Sequence, residues 1–131
     1  MFPPSTRILI LDDMSTMRKI VAKNLRELGY TEIFEAVDGK IGWDLLQKLN
    51  PPIQFIISDW NMPNATGLDL LKLVRGDARF SKLPFILLTA EAEAHQVSQA
   101  LVAGVTGYVV KPFTADGLKQ AIDKAHKKSA A

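Results

Sequence analysis

The chain has 131 residues, 47% of them apolar, a formal net charge of +2 and no cysteine. That length suits one domain around a single core, and the missing cysteine excludes a disulfide framework and thiolate chemistry. The small charge gives no electrostatic case for nucleic-acid binding, and no run approaches the roughly 18 apolar residues of a membrane span. The opening, Met1-Phe2-Pro3-Pro4-Ser5-Thr6-Arg7, lacks the apolar region of a secretory signal, so a cytoplasmic protein without membrane or nucleic-acid partners is expected.

Ile8-Leu9-Ile10-Leu11 reads as a buried strand with Asp12-Asp13 at its C-terminal end. Ser15 is placed to cap the helix that follows, in which Met17, Ile20, Val21, Leu25 and Leu28 recur at helical spacing. Gly29 is placed to end that helix in the left-handed region. Ile33-Phe34-Glu35-Ala36 is a second strand, with a mid-strand charge that an edge tolerates. Asp38-Gly39 reads as a turn. The next helix, over about 40–49, is apolar at Ile41, Trp43, Leu45, Leu46 and Leu49, and Pro51-Pro52 ends it.

Phe55-Ile56-Ile57-Ser58 runs as a central buried strand into Asp59, followed by a loop through Trp60, Asn61, Met62 and Pro63, with Trp60 expected to be exposed. Asn64 or Thr66 can cap a third helix through about Arg75, with Leu68, Leu71 and Val74 inside. Pro84 to Leu88 is a fourth strand ending in Thr89-Ala90. The helix from about Glu91 to Val102 has Val97 and Leu101 as its expected anchors and should be the most loosely packed. Gly107-Tyr108-Val109-Val110 is a fifth strand ending in Lys111-Pro112. The last helix, about 114–127, carries Leu118, Ala121, Ile122 and Ala125 on one face and lysines at its C-terminal end, where they suit the macrodipole. His95 and His126 read as solvated helix residues.

Apolar strands alternating with amphipathic helices five times imply a parallel sheet covered on both faces by right-handed crossovers. The expected fold is α/β and flavodoxin-like, (βα)5, with strand order 2-1-3-4-5. That order is carried over from the fold type rather than derived from this sequence. A single domain over 1–131 is expected, with residues 1–6 flexible and 128–131 a tail.

In that order strands 1 and 3 are neighbours, so Asp12, Asp13 and Asp59 meet at the C-terminal edge of the sheet. Thr89 lies beside them and Lys111 reaches in from one strand further out. Taken singly, each has an ordinary reading as a turn, a cap or a solvated charge. Five at one edge point to chemistry. Two carboxylates about 5.5 Å apart at an effective dielectric near 20 repel by roughly 3 kcal/mol, so cations are required. Lys111 supplies one charge. A hard divalent ion such as Mg²⁺ suits the rest, because no His or Cys accompanies the acids. Such a site suits phosphoryl transfer with Asp59 as nucleophile, Thr89 as hydrogen-bond donor and Lys111 as charge partner.

These residues resemble the receiver domain of two-component response regulators. The likeness covers about Arg7 to Lys127 and is carried by Asp12-Asp13, by Ser58-Asp59-Trp60-Asn61-Met62-Pro63, by Thr89-Ala90-Glu91, and by Gly107-Tyr108-Val109-Val110-Lys111-Pro112-Phe113. Within the family, residues 12 to 18 are similar to the stand-alone chemotaxis type. The resemblance implies Asp59 as the phosphoacceptor, accepting from a chemotaxis-type histidine kinase. It implies Mg²⁺ on Asp13, Asp59 and the Asn61 carbonyl, with Asp12 acting mainly through water. Lys111 would contact the phosphoryl group, before a cis Pro112. Thr89 and Tyr108 would be the switch pair, and Asn61 and Glu91 would tune dephosphorylation. The α4-β5-α5 face would bind the flagellar motor switch or another effector, and a phosphatase is a further partner. A monomer acting as a signalling protein with intrinsic self-phosphorylation and autodephosphorylation is implied, with no output domain following.

Other readings are a phosphorelay intermediate or phosphate sink, a dehalogenase-like phosphohydrolase and a flavodoxin-like flavin carrier. The phosphohydrolase wants a second carboxylate where Asn61 stands. A flavin phosphate would be repelled by Asp12-Asp13. Three features depart from the family pattern: Thr66 before Gly67, a longer 49–52 segment, and the start Glu91-Ala92-Glu93-Ala94 where chemotaxis members often carry lysine.

Overall fold

The protein is described by a computed structural model over residues 1–90 and 94–130. Its elements are β1 (Ile8–Leu11), α1 (Ser15–Glu27), β2 (Ile33–Ala36), α2 (Gly39–Lys48), β3 (Phe55–Asp59), α3 (Gly67–Gly76), β4 (Phe85–Thr89), α4 (Ala94–Val102), β5 (Gly107–Val110) and α5 (Ala115–Ala130). The five strands form one parallel sheet in the order β2-β1-β3-β4-β5, the flavodoxin-like arrangement expected.

The apolar runs form strands because both sheet faces are covered, and alternation sends their side chains into two cores. Ile8, Ile10, Phe55, Ile57, Ile86 and Leu88 pack with Val21 and Leu25 of α1 and with Leu118 and Ile122 of α5. Leu9, Leu11, Ile56, Phe85 and Leu87 pack with Leu46 of α2, with Leu70, Leu71 and Val74 of α3, and with Ala100 of α4. Parallel strands all point one way, so every strand tip lies at one edge of the sheet.

Caps position the helices that flank this edge. Asp38 is the N-cap of α2 rather than a simple turn residue: its Oδ1 accepts the Ile41 N–H at 2.8 Å and its Oδ2 accepts the Asn64 side-chain amide at 2.8 Å. Asn64 itself sits at φ 66°, a left-handed conformation that Asn tolerates. Thr66 caps α3 through a reciprocal capping box with Asp69. Ser15 is not a cap. It is the first helical residue of α1, and Met14 occupies the cap position without a side-chain bond. Gly29 adopts φ 101°, as its place after the helix requires.

Several side chains lie elsewhere than expected. Ile20 is exposed, and Val21, Ala22 and Leu25 form the buried face of α1. In α4, Leu101 is 64% exposed and Ala100 is fully buried, so the small residue sets the contact with the sheet. That rotates the helix by one position from the face its larger side chains suggest. Trp60 is buried, at 7% exposure, among the α3-side core residues. The first six residues are tied in: the Phe2 ring stacks on Phe55 at 4.7 Å, and the Phe2 carbonyl accepts the Tyr30 hydroxyl at 3.0 Å. His126 meets Phe2 edge-on at 4.9 Å and is half-buried. Residues 128–130 continue α5. Among the described residues no helix is long and apolar enough to cross a membrane.

The N–H of Ile41 and the Asn64 amide hold the Asp38 carboxyl below its ordinary range. A depressed value contributes stability that is present above the unfolded value, near 3.9, and lost as pH falls through the folded one. Asp38→Ala is therefore predicted to cost about 1–2 kcal/mol in urea unfolding at pH 7, with the difference from wild type narrowing below about pH 4. A penalty that stays constant down to pH 2 would contradict this.

A Cβ at Gly67 would collide with the Asp59 carbonyl oxygen and approach Leu87 Cδ2 at 2.8 Å. Gly67→Ala is predicted to destabilise the fold by about 1–3 kcal/mol through overpacking. A denaturant midpoint equal to that of wild type would show that the end of β3 yields freely.

Candidate functional site

Asp12 follows β1 directly and is 2% exposed. Its backbone N–H donates to the Ala36 carbonyl at 3.2 Å, its Oδ1 accepts the Met14 N–H at 2.9 Å, and its Oδ2 accepts from Lys111 Nζ at 3.2 Å. Asp59 ends β3 at 7% exposure, and its Oδ1 accepts from the same Lys111 Nζ at 3.1 Å. Its neighbours are fixed from below: the Trp60 N–H donates to Leu88 O at 2.9 Å and the Gly67 N–H to Trp60 O at 2.9 Å. Asp13 is exposed, and one carboxylate oxygen from each of Asp12, Asp13 and Asp59 lies within 4.8 Å of the others.

Lys111 lies just past β5, two strands from Asp59, and its stem spans the gap as the sequence suggested. The Lys111–Pro112 peptide is cis, and Asn50–Pro51 is cis as well. Thr89 ends β4, one residue beyond the Leu88 that pairs with Asp59, and is 1% exposed. Tyr108 is half-buried on β5, its ring edge-on to Trp60 with centroids 6.4 Å apart. Asn61 is exposed in the loop after β3. Glu91 lies outside the described residues, as do Ala92 and Glu93.

Burial raises the Asp59 carboxyl above its ordinary range, and the Asp12 charge adds to this. The bond and charge of Lys111 oppose the shift without cancelling it. Burial pulls the Lys111 ammonium down, but its hydrogen bond to Asp59 and the charges of Asp59 and Asp12 outweigh that and hold it high. Three carboxylates facing one ammonium leave two negative charges unbalanced. The donors are all oxygen. The set therefore fits a hard divalent cation and does not fit zinc or copper.

Two contributors escaped the sequence reading. Arg18 donates from Nη1 to the Asp12 carbonyl at 2.7 Å and from Nε to Glu35 at 3.1 Å, clamping the β1 exit to β2. Gly67 lets the start of α3 lie against the end of β3. Arg18 stands at the end of residues 12 to 18, and a basic residue one turn into a helix after an acid pair was the available signal.

The family model of the response regulator receiver domain matches residues 8–123. The chain belongs to that family of signalling domains. Within it, the chain is similar to chemotaxis proteins. It is 51% identical to the chemotaxis protein CheY of Pseudomonas aeruginosa over 118 residues, 90% of this chain and 94% of that protein. It is 48% identical to the chemotaxis protein CheY-3 of Vibrio cholerae over 118 residues, 90% of this chain and 89% of that one. The structure of the chemotaxis response regulator CheY4 of Vibrio cholerae matches with a TM-score of 0.84 at 31% identity, covering 92% of this chain and 98% of that one. This is a CheY-like receiver.

A raised carboxyl is a charge the fold holds at a cost, one that disappears as pH falls below the ordinary carboxylate value. With chelator present, Asp59→Asn is predicted to be more stable than wild type at pH 7 by an amount on the order of 1 kcal/mol. The advantage should shrink toward pH 4 in urea unfolding. A variant no more stable than wild type at pH 7 would mean that Lys111 fully compensates the carboxylate.

Proposed function

We propose that this protein is a single-domain response regulator in which Asp59 accepts a phosphoryl group from a histidine kinase. The observation that carries the reading is the Lys111 ammonium, 3.1 Å from Asp59 and 3.2 Å from Asp12, inside a cluster of three carboxylates. An Asp59 carboxylate oxygen attacks the phosphorus of a kinase phosphohistidine. The P–O bond forms as the P–N bond breaks, and the imidazole leaves. Lys111 balances charge on the phosphoryl oxygens and Thr89 donates a hydrogen bond to one of them. Asp13, Asp59 and the Asn61 carbonyl would hold Mg²⁺, with Asp12 acting through water, and when bound the ion neutralises charge on the transferring group. Hydrolysis of the acyl phosphate resets the protein, at a rate tuned by Asn61 and Glu91.

The output is a shift of population. Thr89 moving to the phosphoryl group lets Tyr108 turn inward, and the α4-β5-α5 face changes with it. Taking an equilibrium from 1:99 to 99:1 requires about 5.5 kcal/mol of differential stabilisation, and bonds made by Thr89 and Lys111 in one state contribute to it. In this reading the protein is cytoplasmic and acts as a monomer on the flagellar motor switch, fed by a chemotaxis-type kinase and reset in part by a phosphatase; its likeness to chemotaxis proteins supports the chemotaxis role.

The test combines Mg²⁺ with acetyl phosphate or beryllofluoride, followed by intact mass and by Trp60 fluorescence. The expected outcome is a Mg²⁺-dependent gain of one labile phosphoryl group and a fluorescence change, both absent in Asp59→Asn. No adduct on the wild-type chain would overturn the receiver chemistry. Activation-dependent retention by the N-terminal peptide of the flagellar switch protein tests the motor assignment, and equal retention in both states would remove it.

A further inference from the structure

The loop between β3 and α3 carries Asn61 between two buried neighbours, Trp60 and Met62. Its inner end is fixed to the sheet, because the Trp60 N–H donates to Leu88 O and the Gly67 N–H to Trp60 O, each at 2.9 Å. Its outer half, Pro63-Asn64-Ala65, lies beyond those bonds. Two further hydrogen bonds tie that half to the turn after β2. The Asn64 side-chain amide donates to Asp38 Oδ2 at 2.8 Å, and the Gly39 N–H donates to Ala65 O at 3.1 Å.

The turn is itself held. Asp38 is 4% exposed, and its other carboxylate oxygen accepts the Ile41 N–H at the start of α2. It cannot swing away from Asn64 without uncapping that helix. Gly39 permits the close approach: a Cβ there would come within 2.9 Å of Ala65 O. Asn64 stands at φ 66°, a conformation that asparagine visits at small cost, and its amide reaches Asp38 from there. One carboxylate thus starts α2 and ties down the loop that follows Asp59.

We propose that Asp38 and Asn64 are positioning residues that make the Asp59 site selective for Mg²⁺ over a larger ion such as Ca²⁺. The proposal rests on the reading of the Asn61 carbonyl as a metal ligand. Mg²⁺ demands near-octahedral geometry with short bonds, whereas Ca²⁺ accepts flexible arrangements of more oxygens. A backbone carbonyl on a loop tied at both ends suits the first ion. Releasing the outer tie leaves the three carboxylates in place and lets the carbonyl drift, which penalises Mg²⁺ more. Groups that hold a ligand from behind are worth about 10–100-fold in metal affinity.

Titrations with Mg²⁺ and with Ca²⁺ at pH 7, followed by NMR shifts of the Asp59 and Trp60 amides, test this. Asn64→Gly removes the amide and keeps the left-handed backbone. It should weaken Mg²⁺ binding by about tenfold or more, with a clearly smaller loss for Ca²⁺. Asn64→Asp sets two carboxylates against each other. Its added negative charge alone would favour any cation, so a loss of Mg²⁺ affinity here reports position rather than charge. Adding Asp38→Asn to Asn64→Asp reverses the bond. The amide then donates from position 38 to the carboxylate at position 64, and its oxygen still caps α2. This double variant has the wild-type net charge and should recover Mg²⁺ affinity. Urea unfolding in chelator checks that each variant folds.

Wild-type Mg²⁺ affinity in both Asn64→Gly and Asn64→Asp would overturn the proposal alone and leave the metal reading intact. Equal losses for Mg²⁺ and Ca²⁺, or a double variant as weak as Asn64→Asp, would overturn it too. No Mg²⁺ response in the wild-type chain would overturn the metal reading and this proposal together.

Discussion

The Lys111 ammonium between Asp12 and Asp59 is the contact on which the rest of the site depends. It bridges two buried carboxylates from neighbouring strands, and it comes from the far side of the sheet. Without it, Asp12 and Asp59 would be two like charges in a place where burial already penalises one. With it, the cluster is tolerable but still negative. Such an imbalance at a strand edge suits a hard divalent cation. Stability is given up locally to keep the site charged.

The fold makes this arrangement possible by direction. Every strand in a parallel sheet delivers its C-terminal end to one edge, so four of the five short runs bring Asp12, Asp59, Thr89 and Lys111 to that edge. The loops are then free to be fixed by small devices. Asp38 caps α2 and holds Asn64, Thr66 and Asp69 cap α3, and Gly67 lets that helix begin against the carbonyl of Asp59. Tyr108 stands edge-on to Trp60, which links the loop after Asp59 to the outermost strand. Trp60 is buried beside the site.

What could be read from the sequence was what depends on period and on strand ends. Continuous apolar runs gave the buried strands, and the acids and the lysine that close them gave the edge. What could not be read depends on neighbours in space. Nothing local tells that Ala100, not Leu101, faces the sheet, since that follows from how closely α4 approaches it. The burial of Trp60 is set by α3 and β5, and the anchoring of Phe2 by Phe55 and Tyr30, far away in the chain. Arg18 on the Asp12 carbonyl is likewise a tertiary contact.

The central claim is that the edge cluster makes Asp59, and neither Asp12 nor Asp13, the acceptor of the phosphoryl group. Borohydride reduction after treatment with Mg²⁺ and acetyl phosphate converts an acyl phosphate to homoserine and fixes its position in the chain. Peptide mass mapping is predicted to find homoserine at position 59, dependent on Mg²⁺ and strongly reduced in Lys111→Ala. Homoserine at position 12 or 13, or at none of the three, would contradict the account.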